Sequence, residues 1–378
     1  MDVERLLSEI VRINSIFPNE KGLAVFVEHR LKRMGFATRR DYLSKTRYNI
    51  LAERGTGNGS VLFYCHLDTV PDYGNWHTNP FRLTAKGNAL FGLGSCDMKG
   101  GMAAILTAVD QIRDKKIKML FCVDEENISE GAWHAVTYNK AWFRDVKFAV
   151  SCESGDSKRH TGGSNVVTIG RRGRVVISID IEGLASHGAQ PQRGVNAIDE
   201  ASTIVKHIGM YKLLKHGRLG PESIFVRRLE ANSTSLSVPD KAHLELDIHI
   251  VPPSTRKDAE GRARELVNEL FRSKHLDPRT KINVSIKERK TPYIEPYVNH
   301  RNNRHIKKVF SIIKEDYGKA IPNYGSSVAD DNILSTELRV PIVTIGPTGG
   351  NEHSENEWVS RRSVKQLVGT YSRIIEEC

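Results

Sequence analysis

Apolar residues near the start of the chain recur at helical spacing, as in Leu23, Val25, Phe26, Leu31 and Met34. This pattern predicts helices over 3–14 and 22–34. A strand pair is predicted at 37–53, followed by a glycine-rich turn at Arg54–Gly59. The pattern then shifts to short unbroken apolar runs: Val61–Cys65, Ala89–Phe91, Ile117–Cys122, Phe148–Cys152 and Pro341–Ile345. Runs of that length read as buried strands, and the Ala-rich segment Gly100–Ile112 between them reads as a helix. Helical segments at His305–Glu315, Asn332–Ser335 and Ser363–Glu377 complete the set. Buried strands alternating with helices predict an α/β domain, a mainly parallel sheet covered by helices.

The middle of the chain follows a different rule. Val175, Ile177, Ile179 and Ile181 alternate with polar residues, as on one face of a strand. A helix is predicted over Val195–His207, then strands at Ser223–Leu229 and His243–Val251. Pro252-Pro253 breaks the chain before a helix at Arg256–Phe271 and a last strand at Lys281–Ile286. This βαββαβ order is that of a ferredoxin-like α+β unit. The expected organisation is a domain of residues 1–170 plus 290–378, with 171–289 inserted as a second domain.

Charge adds little to this picture. The 378 residues carry a formal net charge of +11 and a sequence pI near 9.3. The basic residues are scattered among acids, and the clusters Lys287–Lys290 and Arg301–Lys308 are short. No nucleic-acid-binding motif accompanies them, so no nucleic-acid partner is expected, whereas an anionic small substrate fits. No stretch approaches the ~18 apolar residues of a membrane span, and Met1–Arg5 lacks the basic and apolar regions of a secretory signal. A cytoplasmic enzyme without a membrane partner is expected. The five cysteines, an odd number in a large chain, are expected as reduced thiols. Cys65, Cys96 and Cys152 each precede a candidate metal ligand, but there is no CxxC pair, and strand neighbours point to opposite faces. Cys65 and Cys152 are therefore expected against the helices.

The candidate chemistry lies just beyond the apolar runs, at His66, Asp97, Glu126, Glu153 and His353. Loops after parallel strands are where open α/β sheets place their sites. Single motifs have plainer readings: His66 with a capping Asp68 at a strand end, and an ordinary acidic loop at Asp124-Glu125-Glu126, while Glu153 and His353 are weak alone. The glycine-rich Gly92–Gly101 segment lacks the GxxxxGK[ST] spacing of a phosphate loop, and Asp97 stands where phosphate would be repelled. Together, three carboxylates and two imidazoles form a hard mixed set suited to Zn²⁺, Mn²⁺ or Co²⁺. A bridging Asp97 divides them into His66, Asp97 and Glu153 at one ion and Asp97, Glu126 and His353 at the other. Two ions about 3.5–4 Å apart share a water. Three carboxylates do not neutralise two divalent cations, so such a centre stays electrophilic. Asp68 is placed to orient His66, and Glu125 is the spare carboxylate.

At this point a family likeness emerges. His66–Pro71, Gly92–Gly101, Asp124–Asn127, the Glu153 of Ser151–Gly155 and the His353 of Glu352–Glu357 resemble, in order, motifs of the acetylornithine deacetylase / succinyl-diaminopimelate desuccinylase family. That family belongs to the co-catalytic zinc metallopeptidases, with glutamate carboxypeptidases and aminoacylases. Trp76–Phe81 is similar to a further family segment. The resemblance implies two zinc ions on the five ligands, Asp68 as partner of His66 and Glu125 as general base. It also implies that the insert is a lid through which the enzyme forms a homodimer. His187, in Gly183–Pro191, takes the place of a lid histidine that stabilises the oxyanion, and Arg172 that of a substrate-contacting arginine. Departures concern the substrate: His249 stands at the position of a carboxylate-gripping arginine, and Leu236 at that of an asparagine, with Asn232 nearby.

The expected function is hydrolysis of the amide bond of a small N-acyl amino acid at a dinuclear centre. The alternatives are a broad dipeptidase or carboxypeptidase, and a non-catalytic metal-stabilised binding protein.

Overall fold

The computed structural model describes residues 2–154, 164–231 and 236–378. Gly155, from the motif around Glu153, and Asn232 lie outside the described residues. The chain divides into two compact units, Met1–Arg171 with Val298–Cys378, and Arg172–Tyr297.

The first unit is built on a mixed sheet. Its strands run in the order Ala37–Tyr42, Tyr48–Arg54, Ile117–Cys122, Ser60–His66, Val146–Ser151, Ile342–Thr344 and Val166–Arg171, with Ile321–Gly325 also paired to the last. The four central strands, from Ile117–Cys122 to Ile342–Thr344, are mutually parallel. Ile117–Cys122, Ser60–His66 and Ile342–Thr344 are buried along their whole length. That burial on both faces is why the sequence shows unbroken apolar runs rather than alternation. The hairpin at 37–54 closes one edge in antiparallel register.

Helices Gly100–Gln111 and Arg361–Glu377 pack against each other and cover the sheet. Tyr371 meets Phe63 edge-on, with ring centroids 5.8 Å apart, and its hydroxyl donates to the Ile345 carbonyl. Cys65 and Cys152 lie buried among these groups as free thiols, on the helical side of the sheet. The first helix ends at Val11, and Asp330–Leu338 forms a longer helix than the sequence indicated.

One strand is not where the pattern placed it. Ala89–Phe91 does not join the parallel sheet. It belongs to a small antiparallel sheet with Thr84–Lys86, Gly349–Gly350 and Trp358–Ser360. A three-residue apolar run records burial but not which strand it will pair with.

The second unit has the βαββαβ order. Its strands Gly173–Glu182, Ser223–Ala231, Lys241–Ile250 and Lys281–Ile286 lie in the spatial order second, third, first, fourth, all antiparallel. Helices Ala197–Lys206 and Arg256–Arg272 bury one face of this sheet, with Ile177, Ile179, Leu244, Leu246, Ala201 and Leu266 in the core. A capping box of Thr255 and Asp258 starts the second helix just after Pro252-Pro253. The unit ends at Tyr297 rather than at 289. The added segment is held by Tyr293 in the core, by Ile294 bridged to Arg174, and by Glu295 paired with Arg256. A small strand pair at Lys215–His216 and Gly220–Pro221 had no signal in the pattern. Among the described residues no helix is long and apolar enough to cross a membrane.

Gly101 tests this packing. A Cβ there would stand 1.7 Å from the carbonyl oxygen of Cys152, backbone against backbone. Gly101→Ala is expected to lower the unfolding free energy of the metal-free protein by about 1–3 kcal/mol, read by urea denaturation. Wild-type stability would contradict this close approach of helix and strand.

Candidate metal centre

The parallel strands bring three of the candidate ligands to one end of the sheet. His66 is the last residue of Ser60–His66, and Asp124–Glu126 and Glu153 follow the two strands that flank it. His353 comes from the loop after Ile342–Thr344, and Asp97 from the turn after Ala89–Phe91. His66, the acidic turn and Glu153 lie at carboxyl ends of parallel strands, the usual position for a site in an open α/β sheet, whereas Asp97 and His353 come from loops of the small antiparallel sheet.

Asp97 lies between the two imidazoles. Its Oδ1 is 2.9 Å from Nε2 of His66, and its Oδ2 is 3.3 Å from Nε2 of His353. The same His353 nitrogen is 3.0 Å from Oε2 of Glu126. Among the described residues, ligand atoms of His66, Asp97 and Glu126 all lie within 4.8 Å of one another. Donor atoms bound tetrahedrally to one zinc at about 2.0–2.1 Å are roughly 3.3 Å apart, so these spacings suit edges of a coordination shell. The His66 Nδ1 is 3.0 Å from the Asp68 backbone carbonyl. A carbonyl only accepts, so Nδ1 carries the proton and Nε2 presents its lone pair to Asp97. Two lone pairs facing each other at 2.9 Å require a proton or a cation between them.

Glu153 lies outside the group of His66, Asp97 and Glu126 and is paired with an arginine. Its Oε1 is 3.5 Å from the buried Arg171, and its Oε2 is buried without a hydrogen-bond partner. A buried carboxylate oxygen with no donor is costly unless it binds a cation or a proton. Burial, with Asp97 and Asp331 nearby, pushes the Glu153 carboxyl up to about 8 despite Arg171. Burial likewise drives Glu125 well above its ordinary range, with Glu126, Asp330 and Glu153 adding to the effect and His66 opposing it. Burial opposes charge on His66 too, yet Asp97, Glu125 and Asp68 hold it well above its usual value. His353 is raised to about 11 by its contacts with Asp97 and Glu126. The cluster holds more negative charge than its own protons and cations comfortably balance, and divalent cations on these donors relieve that excess. The donor set fits a pair of such ions.

The acidic turn is arranged differently from the expectation. The Asp68 carboxylate does not reach the His66 ring, standing 3.8 Å from Nδ1. It accepts instead from the backbone N–H groups of Glu125 (3.2 Å) and Glu126 (2.9 Å). Asp68 therefore fixes His66 through its carbonyl and the acidic turn through its carboxylate. Asp124 turns away from the ligands at a φ of 74° and accepts from Ile128, Glu130 and the Asn127 side chain. Its counter-charge is Arg47, which donates to Asp124 Oδ1 (3.2 Å) and to the buried Glu20 (3.1 Å).

With this geometry in view, comparison with known proteins is decisive. Residues 62–377 match peptidase family M20/M25/M40. The chain belongs to this family. Succinyl-diaminopimelate desuccinylase of Pelagibacter ubique (strain HTCC1062) is 26% identical over 386 residues, covering 98% of this chain and 97% of that protein. The desuccinylase of Sulfurovum sp. (strain NBC37-1) is 24% identical, covering 100% and 99%. Among solved structures, aminopeptidase PepT from Bacillus cereus ATCC 10987 superposes with a TM-score of 0.80 at 16% identity, covering 100% of this chain and 99% of that one. The YXEP protein of Bacillus subtilis, described as a dinuclear metal-binding peptidase of family M20, gives 0.74 at 12% identity, covering 100% and 98%. This M20 protein thus has the zinc-peptidase α/β fold with an inserted α+β unit, and it is a metal-dependent hydrolase.

The remaining candidates of this M20 chain lie in the second unit. Arg172 donates to the Leu219 carbonyl from Nε (3.3 Å) and Nη2 (3.0 Å). His249 is half-buried, and burial lowers its pKa, with Arg174 and Arg172 contributing and Asp247 opposing. His187 is exposed, and its Nδ1 accepts from Ala189 (3.1 Å), which leaves Nε2 as the donor. Leu236 is exposed, and its carbonyl accepts from Gly188 (2.9 Å).

Three residues of the first unit went unnoticed in the sequence. Glu357 is buried and accepts from the N–H groups of Gly94 (2.6 Å), Cys96 (2.8 Å) and Asp97 (2.9 Å), fixing the Asp97 turn. Arg171 joins Glu153 to Asp331, 2.8 Å from the latter. Arg47 alone had a signal, since three adjacent acids require a cation. Arg47→Met is expected to leave Glu20 and Asp124 buried and unpaired, costing about 3–5 kcal/mol of stability by chemical denaturation. A cost below about 1 kcal/mol, the worth of a surface pair, would contradict this role.

Proposed function

We propose that this M20 hydrolase removes the acyl group from a small N-acyl amino acid, with Glu125 as the general base. The reading rests on one observation: a carboxylate, Asp97, presents one oxygen to each of two imidazoles, with the half-buried Glu125 near His66. His66, Asp97 and Glu153 would hold one divalent cation, and Asp97, Glu126 and His353 the other. Zinc suits this mixed nitrogen and oxygen set, with cobalt or manganese as substitutes. Bound there, the cations supply Lewis acidity, acidifying the attacking water and polarising the amide carbonyl.

The chain's own groups do the rest. Glu125 removes the proton of the attacking water and returns it to the leaving amine. Its raised proton affinity in a buried setting suits a group that must hold that proton between the two steps. Asp68 fixes the Glu125–Glu126 backbone. His187, counterpart of a lid histidine that in dimeric family members reaches the partner subunit's site, would donate to the oxyanion through Nε2. Arg172 and His249 bind the substrate's carboxylate, in line with the net charge of +11. The names of the full-length desuccinylase relatives support an N-acyl amino acid as substrate.

The second unit also carries the contact of a homodimer in this reading. Among the described residues its outer strand Ser223–Ala231 pairs only with Lys241–Ile250, and it exposes Phe225 and Leu229. Free cysteines throughout the described residues fit a cytoplasmic enzyme.

Metal-reconstituted protein and its Glu125→Gln variant, assayed on acetyl-amino acids, succinyl-amino acids and dipeptides, test the assignment. The variant is expected to retain its metal while losing roughly 10²–10⁴-fold or more in kcat. Undiminished turnover would remove Glu125 as the base, and cleavage of dipeptides alone would make the protein a dipeptidase.

A further inference from the structure

The proposed ligands are not held alike. The side chains of His66, Glu126 and Asp97 are 1%, 6% and 15% exposed, so packing fixes them, whereas His353 is 53% exposed. Packing does not set the direction of an imidazole that open. The backbone must, and this backbone is unusual: Asn351, His353 and Asn356 all have left-handed φ values, of 61°, 59° and 60°. Such residues persist only where the surroundings hold them.

The base of the loop is held by pairing of Gly349–Gly350 with Trp358–Val359. Its tip is held by another segment, Gly74–His77. The Asn75 N–H donates to the Glu355 carboxylate, and the His77 N–H donates to Asn356 Oδ1 at 2.8 Å. Asn356 closes the loop through its carbonyl, which accepts from the Asn351 side chain at 3.2 Å. Gly74, at a φ of 82°, lies so close that a Cβ there would stand 2.6 Å from Glu355 Oε2.

We propose that Glu355 and Asn356 are positioning residues: docked on Gly74–His77, they aim His353 and so set the affinity of the cation site that His353 shares with Glu126 and Asp97. This rests on the dinuclear reading above. The site formed by His66 and Glu153 lies outside the clamp, so loosening the clamp separates the two affinities.

Calorimetric titration of the metal-stripped full chain with Co²⁺ tests the proposal. Asn356→Gly removes the side-chain acceptor and keeps the backbone freedom, and Asn356→Asp keeps an acceptor. Loss of a group that orients a ligand costs about 10–100-fold in metal affinity, so Asn356→Gly is expected to weaken the second Co²⁺ by at least about tenfold and the first by less than about twofold. Asn356→Asp is expected to restore the wild-type pattern. Glu355→Ala, loosening the other bond, is expected to act like Asn356→Gly and carries the test should that variant not fold. Unchanged affinities, or equal losses at both sites, would overturn the clamp. Wild-type protein that binds fewer than two Co²⁺ would instead overturn the dinuclear reading itself.

Discussion

The Asp97 carboxylate, set between His66 and His353, is the contact on which the site depends. It joins two parts of the first unit that fold by different rules. His66 is locked at the end of a fully buried central strand, with its Nδ1 facing the Asp68 carbonyl. His353 rides on an exposed loop anchored in the small antiparallel sheet. Asp97 belongs to a turn whose strand, Ala89–Phe91, lies in that same small sheet. Its backbone N–H and those of Gly94 and Cys96 are gathered by Glu357. The small sheet thus presents both Asp97 and His353 to the ligands of the parallel sheet.

Concentrating acids at one edge of a sheet is expensive, and the structure offsets that cost residue by residue. Asp124 is turned to Arg47, Asp331 and Glu153 face Arg171, and Asp68 is spent on backbone N–H groups. Not offset in this way are the Glu125 carboxyl, driven well above its ordinary range, and the unpartnered oxygen of Glu153. A buried group without a partner normally marks a missing ligand rather than a defect. The charges the fold neutralises by itself and those it leaves open separate supporting acids from candidate ligands.

Much of this was legible in the sequence for a physical reason. Strands buried on both faces must be apolar throughout, so the central strands stood out, and their ends located His66, Glu126 and Glu153. Elements of the second unit were readable because apolar residues recur there at strand or helical spacing on the face turned to its core. Other features were not local. Nothing in Ala89–Phe91 says that it pairs with Trp358–Ser360. Arg47 lies 77 residues from Asp124, and the left-handed φ that turns Asp124 aside is a backbone property. The same holds for Asp68, whose spacing implied a bond to the His66 ring while its carboxylate went to the acidic turn. The end of the second unit was missed because Thr291–Tyr297 is irregular and held by tertiary contacts.

The central claim is that one carboxylate serves two cations. Crystals of the zinc-loaded protein, measured for anomalous scattering at the zinc edge, test it directly. Two peaks are expected to flank Asp97, one beside His66 and Glu153 and the other beside Glu126 and His353, about 3.5–4 Å apart. A single peak, or two peaks that leave Asp97 on one ion only, would contradict it.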